Sequence, residues 1–270
     1  MGFKTIQVHV GTDAASDDRV AAAADFARRQ DARLRGVLTL APSELPGLDL
    51  GDGIEEARRV AARVAAPIEE RFRAVASREG LRFDWIMEVG DEAEHLAVHA
   101  RYADVVVLSQ DRRESLWNDF STNLPDHLPF AAGCPVLVLP PDRTAPVDAS
   151  NILVAWKPTR EAAAAVRAAL PVLKEAATVT VITAGSRDET ELHGAGILRF
   201  LGEHGVKASL RTPEAPEDSA GRSLLVEAGA VGAGLLVMGV YGHSRLRERI
   251  LGGTSRHVLH HAEIPLLVAH

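Results

Sequence analysis

Two segments recur at one spacing, and that repeat constrains the fold more than any other feature. Asp104-Val-Val-Val-Leu-Ser109 returns as Gly234-Leu-Leu-Val-Met-Gly239, and Cys134-Pro-Val-Leu-Val138 returns as Ile264-Pro-Leu-Leu-Val268. Both pairs lie 130 residues apart (104 to 234, 134 to 264), with no gap between them. Each reads as an apolar strand followed, after a fixed interval, by a strand that opens on proline. Proline suits that place because the first residue of a strand can do without its N–H. The chain is therefore expected to hold two copies of one unit, residues 1–142 and 149–270. The stretch Pro140–Ser150, rich in proline and small polar residues, joins them.

Within each copy, short β-branched runs alternate with longer stretches rich in Ala, Glu and Arg. The first copy predicts strands at Thr5–Val10, Leu34–Leu40, Phe83–Glu88, Val105–Ser109 and Val136–Leu139. Its helices are expected at Asp18–Gln30, Ile54–Glu79 and Glu92–Arg101. The second predicts strands at Ile152–Ala155, Val179–Thr183, Lys207–Leu210, Leu235–Gly239 and Leu266–Ala269. Helices are expected at Arg160–Ala176, Glu189–His204, Ser219–Gly229 and Ser255–His261. Such alternation predicts an α/β fold with a parallel sheet covered on both faces, and continuous runs such as Val105–Leu108 suit doubly buried strands. The first strands are about 146 residues apart (5 to 151), so the first copy carries extra residues upstream. Ala41–Gly53 is the candidate, read as a surface insertion or as a lid.

Composition narrows the function classes. With 46% hydrophobic residues, 270 residues can build two cores of about 130 residues each. A net charge of −7, with no basic run interleaved with aromatics, argues against nucleic acid and anionic membranes as partners. No apolar run approaches the roughly 18 residues of a membrane span. The first eleven residues lack the apolar core of a signal peptide. The only cysteine, Cys134, cannot pair within the chain, which suits a reducing compartment. A cytoplasmic protein is the expectation.

One motif carries chemistry. Gly239-Val-Tyr-Gly242-His243 runs on to Gly252-Gly253-Thr254-Ser255, from a strand end to a helix start. Glycines let backbone N–H groups approach an anion closely. The hydroxyls of Thr254 and Ser255 donate or cap, and the helix points its positive end at the same place. Ligands of open α/β sheets sit at these carboxyl ends of the strands. The pattern fits an oligophosphate.

This spacing, Gly-x2-Gly-x9-Gly between the fourth strand and fourth helix, resembles the nucleotide loop of the universal stress protein family. The resemblance covers the whole chain as two domains. It implies two doubly wound parallel-sheet domains in tandem, Rossmann-like and similar to adenine nucleotide alpha hydrolases. It also implies a stress-responsive regulatory protein that is not an enzyme. ATP or a related adenine nucleotide is the implied ligand. Gly239, Gly242, His243, Gly252, Gly253, Thr254 and Ser255 are the implied contacts, and the base and ribose lie near the ends of strands one and two. The resemblance further implies that Val136–Leu139 and Leu266–Ala269 pair as an intramolecular pseudo-dimer, with a homodimer and an unidentified protein partner as further associations. The alternative function is a nucleotide-free stress protein that acts through protein contacts.

The copies depart from that pattern in different ways. After its first strand the family has an Asp, and the first copy keeps it in Gly11-Thr-Asp13. The second has Lys157, which cannot accept a ribose hydroxyl but can meet a phosphate. Gly253 stands where many ATP-binding members have Ser. In the first copy the four loop glycines are replaced by Ser109, Arg112, Thr122 and Asn123, so no nucleotide is expected there. Arg112 and Arg113 are read as solvated surface or as an anion site.

The remaining candidates have plain readings beside functional ones. No P-loop occurs, and Leu246 removes the last glycine of a nucleophile elbow. His257 and His261 share a helix face and read as packing or as a metal pair. Trp156 reads as core or as a stacking platform, and Tyr241 as exposed beside any ligand. Slow ATP hydrolysis would need a base, and Glu248 is the only carboxylate in the loop.

Overall fold

The computed structural model describes residues 2–48, 53–110, 123–141, 145–183, 187–212, 220–240 and 253–270. The chain forms two compact units: residues 2–134 with 141–146, and residues 135–140 with 147–270.

The first unit runs β1 (Thr5–Val10), α1 (Ser16–Arg29), β2 (Arg33–Leu40), α2 (Ile54–Arg78), β3 (Phe83–Val89), α3 (Glu92–Ala100), β4 (Val105–Ser109) and α4 (Leu124–Ala131). Its strands lie side by side in the order β3, β2, β1, β4, and every pairing is parallel. Val105, Val106, Val107 and Leu108 are all fully buried, as a strand covered on both faces requires. Gly36 of β2 makes room for an aromatic core. A Cβ there would stand 2.8 Å from Phe72 of α2. Phe72 in turn packs on Trp85 and Phe83, with ring centroids 5.3 and 5.9 Å away.

The second unit contains β5 (Val136–Leu139), β6 (Asn151–Trp156), α5 (Arg160–Leu173), β7 (Thr178–Thr183), α6 (Arg187–Glu203), β8 (Ala208–Arg211), α7 (Ala220–Ala230), β9 (Leu235–Gly239), α8 (Gly253–His261) and β10 (Leu266–Ala269). Here β10, β9, β6, β7 and β8 are parallel neighbours in that order. The order reverses between β6 and β9, so their carboxyl ends flank the switch point of a doubly wound sheet. β5 joins this unit by an antiparallel ladder to β10, with Leu137 opposite Leu267. The two expected last strands therefore pair.

Helix α4 was not expected from the sequence. Pro125 and Pro129 discourage a helical reading, but Pro125 falls in the first turn, where a missing N–H is harmless. A short 3₁₀ turn at Pro42–Glu44 opens the expected insertion. Its Pro42, Ser43 and Glu44 are exposed, and Leu45 is buried.

Candidate functional site

Gly239 is the last residue of β9, and α8 opens with Gly253, Thr254 and Ser255. Gly242, His243 and Gly252 lie outside the described residues, as do Tyr241, Glu248, Arg112, Arg113 and Thr122. The glycine at 239 has a packing cause. A Cβ there would run into the backbone of Glu161 and Ala162, where α5 begins. Gly253, by contrast, has open space where a Cβ would be. Gly253 and Thr254 are exposed and Ser255 is buried. The first turn of α8 carries no acidic residue, so the positive end of its dipole meets no carboxylate from its own turn.

The matching helix of the first unit differs on both points. At the same spacing of 130, Leu124, Pro125 and Asp126 stand against Thr254, Ser255 and Arg256. Pro125 removes one N–H, and the buried Asp126 places a negative charge in the first turn of α4. An anion at that end is disfavoured where an anion at α8 is favoured. Sequence reading stopped at the glycines; carrying the same register three residues further finds this reversal of charge.

The strand ends of the first unit are filled by its own side chains. Arg19 of α1 is 3% exposed. Its Nε donates to the His9 carbonyl at 2.7 Å, Nη1 to Ser109 Oγ at 3.1 Å, and Nη2 to Asp13 Oδ2 at 2.8 Å. His9 Nε2 lies 2.7 Å from Glu92 Oε1. The Gly11 N–H donates to Ser16 Oγ at 3.0 Å. Asp13, the expected ribose acceptor, is thus already engaged. Burial by itself would raise the Asp13 carboxyl. The hydrogen bond and charge of Arg19, the charge of His9 and the Ala15 N–H outweigh it and hold the group below its ordinary 3.8. Burial likewise pushes Glu92 up, but the hydrogen bond and charge of His9, helped by Arg19, bring it below 4.5. Nothing in the alanine- and arginine-rich α1 sequence marked Arg19 for this role.

In the second unit the register of the first strands sets Ala165 against Arg19. Thr159 caps α5 by accepting from the Ala162 N–H at 3.3 Å. Glu161 supplies a carboxylate four residues beyond Lys157, the place where the acid was expected. Its side chain is 5% exposed and meets Arg160 Nε at 2.5 Å. Burial raises this carboxyl, whereas the Arg160 hydrogen bond and charge, the backbone N–H and Thr159 lower it further, to below 4.5.

The other candidates find structural roles. His257 and His261 stack with ring centroids 4.3 Å apart, and His261 Nδ1 bonds the His257 carbonyl at 2.9 Å. His257 also packs against α7, where a Cβ on Gly221 would stand 3.0 Å from its own. No group of three metal-ligating side chains occurs among the described residues. Burial, then the charge of Asp104, pushes the Cys134 thiol up to about 12, so it is no nucleophile at neutral pH. No helix among the described residues is long and apolar enough to cross a membrane.

The model of the Universal stress protein family matches residues 213–270. Among solved structures, a universal stress protein from Archaeoglobus fulgidus DSM 4304 is 16% identical. The match covers 97% of this chain and 95% of that one, with a TM-score of 0.76. A putative universal stress protein from Pseudomonas aeruginosa UCBPP-PA14 is 17% identical over 99% of this chain and 93% of its own, with a TM-score of 0.58. No curated protein matches the chain in sequence. Residues 213–270 thus carry the sequence signature of the Universal stress protein family, and the chain along its length has the fold of these solved universal stress protein structures.

Proposed function

We propose that this is a stress-responsive regulatory protein of the cytoplasm that binds an adenine nucleotide, ATP or a relative, in one of its two copies. Residues 149–270 form the binding copy and residues 1–142 a copy that has given up the site. The phosphates rest on Gly239, Gly242, His243, Gly252, Gly253, Thr254 and Ser255, and no catalytic step is assigned. The observation that carries this reading is the first turn of α8, which has hydroxyls and no acid where α4 has Pro125 and Asp126. A nucleotide that binds only the folded chain must raise its melting temperature by mass action.

A second reading, a nucleotide-free protein that acts through a protein partner, is favoured by Gly239 and Lys157. Packing against α5 accounts for the first without a ligand. The second removes the acid that would hold a ribose. Denaturing the purified protein and assaying released nucleotide separates the two. Co-purified adenine nucleotide, with a rise in melting temperature on adding Mg-ATP, supports binding. Neither signal would leave the nucleotide-free reading in place.

A further inference from the structure

The second unit has a cleft that is no part of the phosphate loop. It lies between α5 and α6, has a volume of about 210 Å³, and is lined by Trp156, Ala163, Val166, Arg167, Gly196, Ile197 and Phe200. Its described lining is apolar apart from Arg167. The Trp156 ring lines the cleft, but its indole nitrogen is turned out of reach of solvent and has no hydrogen-bond partner among the described residues. Arg167, the only charged residue among the described residues of the lining, is exposed. Its guanidinium lies 5.7 Å from the Phe200 ring centroid, and it makes no ion pair among the described residues. Phe200 is itself braced by His204, with ring centroids 4.3 Å apart.

The cleft is open because of its sequence. Gly196 presents no side chain to it, and a Cβ there would meet nothing within 4 Å. Glycine inside a helix costs about 1 kcal/mol relative to alanine. Here that cost is not explained by close packing, as it is at Gly194, whose Cβ would stand 3.0 Å from Leu210 Cδ1 and nearer still to Cδ2.

We infer that the α5–α6 cleft binds a small aromatic carboxylate. Apolar cavities of about 150 Å³ take up benzene, so this volume suits one substituted ring rather than a drug-sized molecule. The ring lies among Val166, Ile197 and Phe200. The carboxylate draws on the charge of Arg167 at the rim of the cleft. A cation would be repelled by that guanidinium, and a purely apolar molecule would gain nothing from it. This site does not depend on nucleotide binding at the loop.

Benzoate is the probe, added to the ¹⁵N-labelled full chain while the tryptophan indole N–H signals are followed, with Trp156→Phe to assign the signal. Benzoate is expected to shift the Trp156 signal saturably in the millimolar range or below. Arg167→Met should weaken benzoate about tenfold while leaving neutral toluene unchanged. Gly196→Leu should fill the cleft, abolish the shift and leave the other indole signals in place. Ala163→Leu fills it from the opposite wall and serves the same purpose should the first variant not fold. No saturable shift up to about 10 mM, a concentration far above a useful affinity, overturns the inference. Equal binding by the filled variants overturns the location. Equal loss of toluene and benzoate in Arg167→Met overturns the role of the carboxylate.

Discussion

The two units solve the same topology differently at the carboxyl ends of their strands. In the first, Arg19 reaches across from α1 and ties His9, Asp13 and Ser109 together, and α4 starts with a proline and an aspartate. In the second, Ala165 stands for Arg19, Gly239 for Ser109 and Arg256 for Asp126. One unit satisfies its strand ends with its own charges. The other leaves a helix N-terminus without an acid. A duplicated fold thus keeps its frame while the chemistry of the switch point diverges, because the sheet is held by burial and the site by a few polar side chains.

Exchanging residues between the units tests this contrast. The largest effect is expected from Gly239→Val. Its side chain would enter the backbone of α5, so the second unit should lose about 3 kcal/mol in denaturant unfolding. Ser109→Gly, the reverse exchange, should lose only about 1 kcal/mol, the worth of one hydrogen bond. Equal losses would mean that the two strand ends are packed alike.

Arg19→Ala should cost the first unit about 2 kcal/mol by removing three hydrogen bonds, two of them to neutral acceptors. It should also change the acid limb of the stability curve. Asp13 and Glu92 have folded-state pKa values below their ordinary 3.8 and 4.5. Their contribution is therefore present above those values and lost as the pH falls through the folded ones. Without Arg19 that loss should shrink, as read from melting temperatures between about pH 5 and 2. An unchanged acid limb would remove Arg19 from the network.

Two smaller effects concern α8. Arg256→Asp imports the charge that α4 carries and should weaken any bound phosphate about tenfold while the fold persists, since residue 256 is exposed. His257 has a pKa lowered by burial, then by His261 and Arg222. A histidine lowered in the folded state binds its proton more readily when unfolded, so stability should fall as the pH drops below about 6.5. His257→Gln should flatten that decline in a series of melting curves.

Much of the frame was legible in the sequence. Apolar runs such as Val105–Leu108 and Leu235–Met238 mark strands because burial on both faces leaves no room for polar alternation. The register of 130 located the last strands, and the family resemblance implied that they pair, as they do. Helix α4 escaped because proline reads as a breaker unless its place in the first turn is known. The site was less legible. Gly239 looks like a ligand glycine in sequence and has a packing cause in the structure. Arg19 and Trp156 act through three-dimensional neighbours that no spacing announces.

The central claim is that one unit binds nucleotide and the other does not. Equilibrium dialysis of the intact chain with labelled ATP and Mg²⁺ tests it most directly. The account expects one nucleotide per chain, weakened about tenfold by Arg256→Asp and unchanged by Arg19→Ala. Two nucleotides per chain, none at all, or a single one indifferent to Arg256→Asp would contradict it.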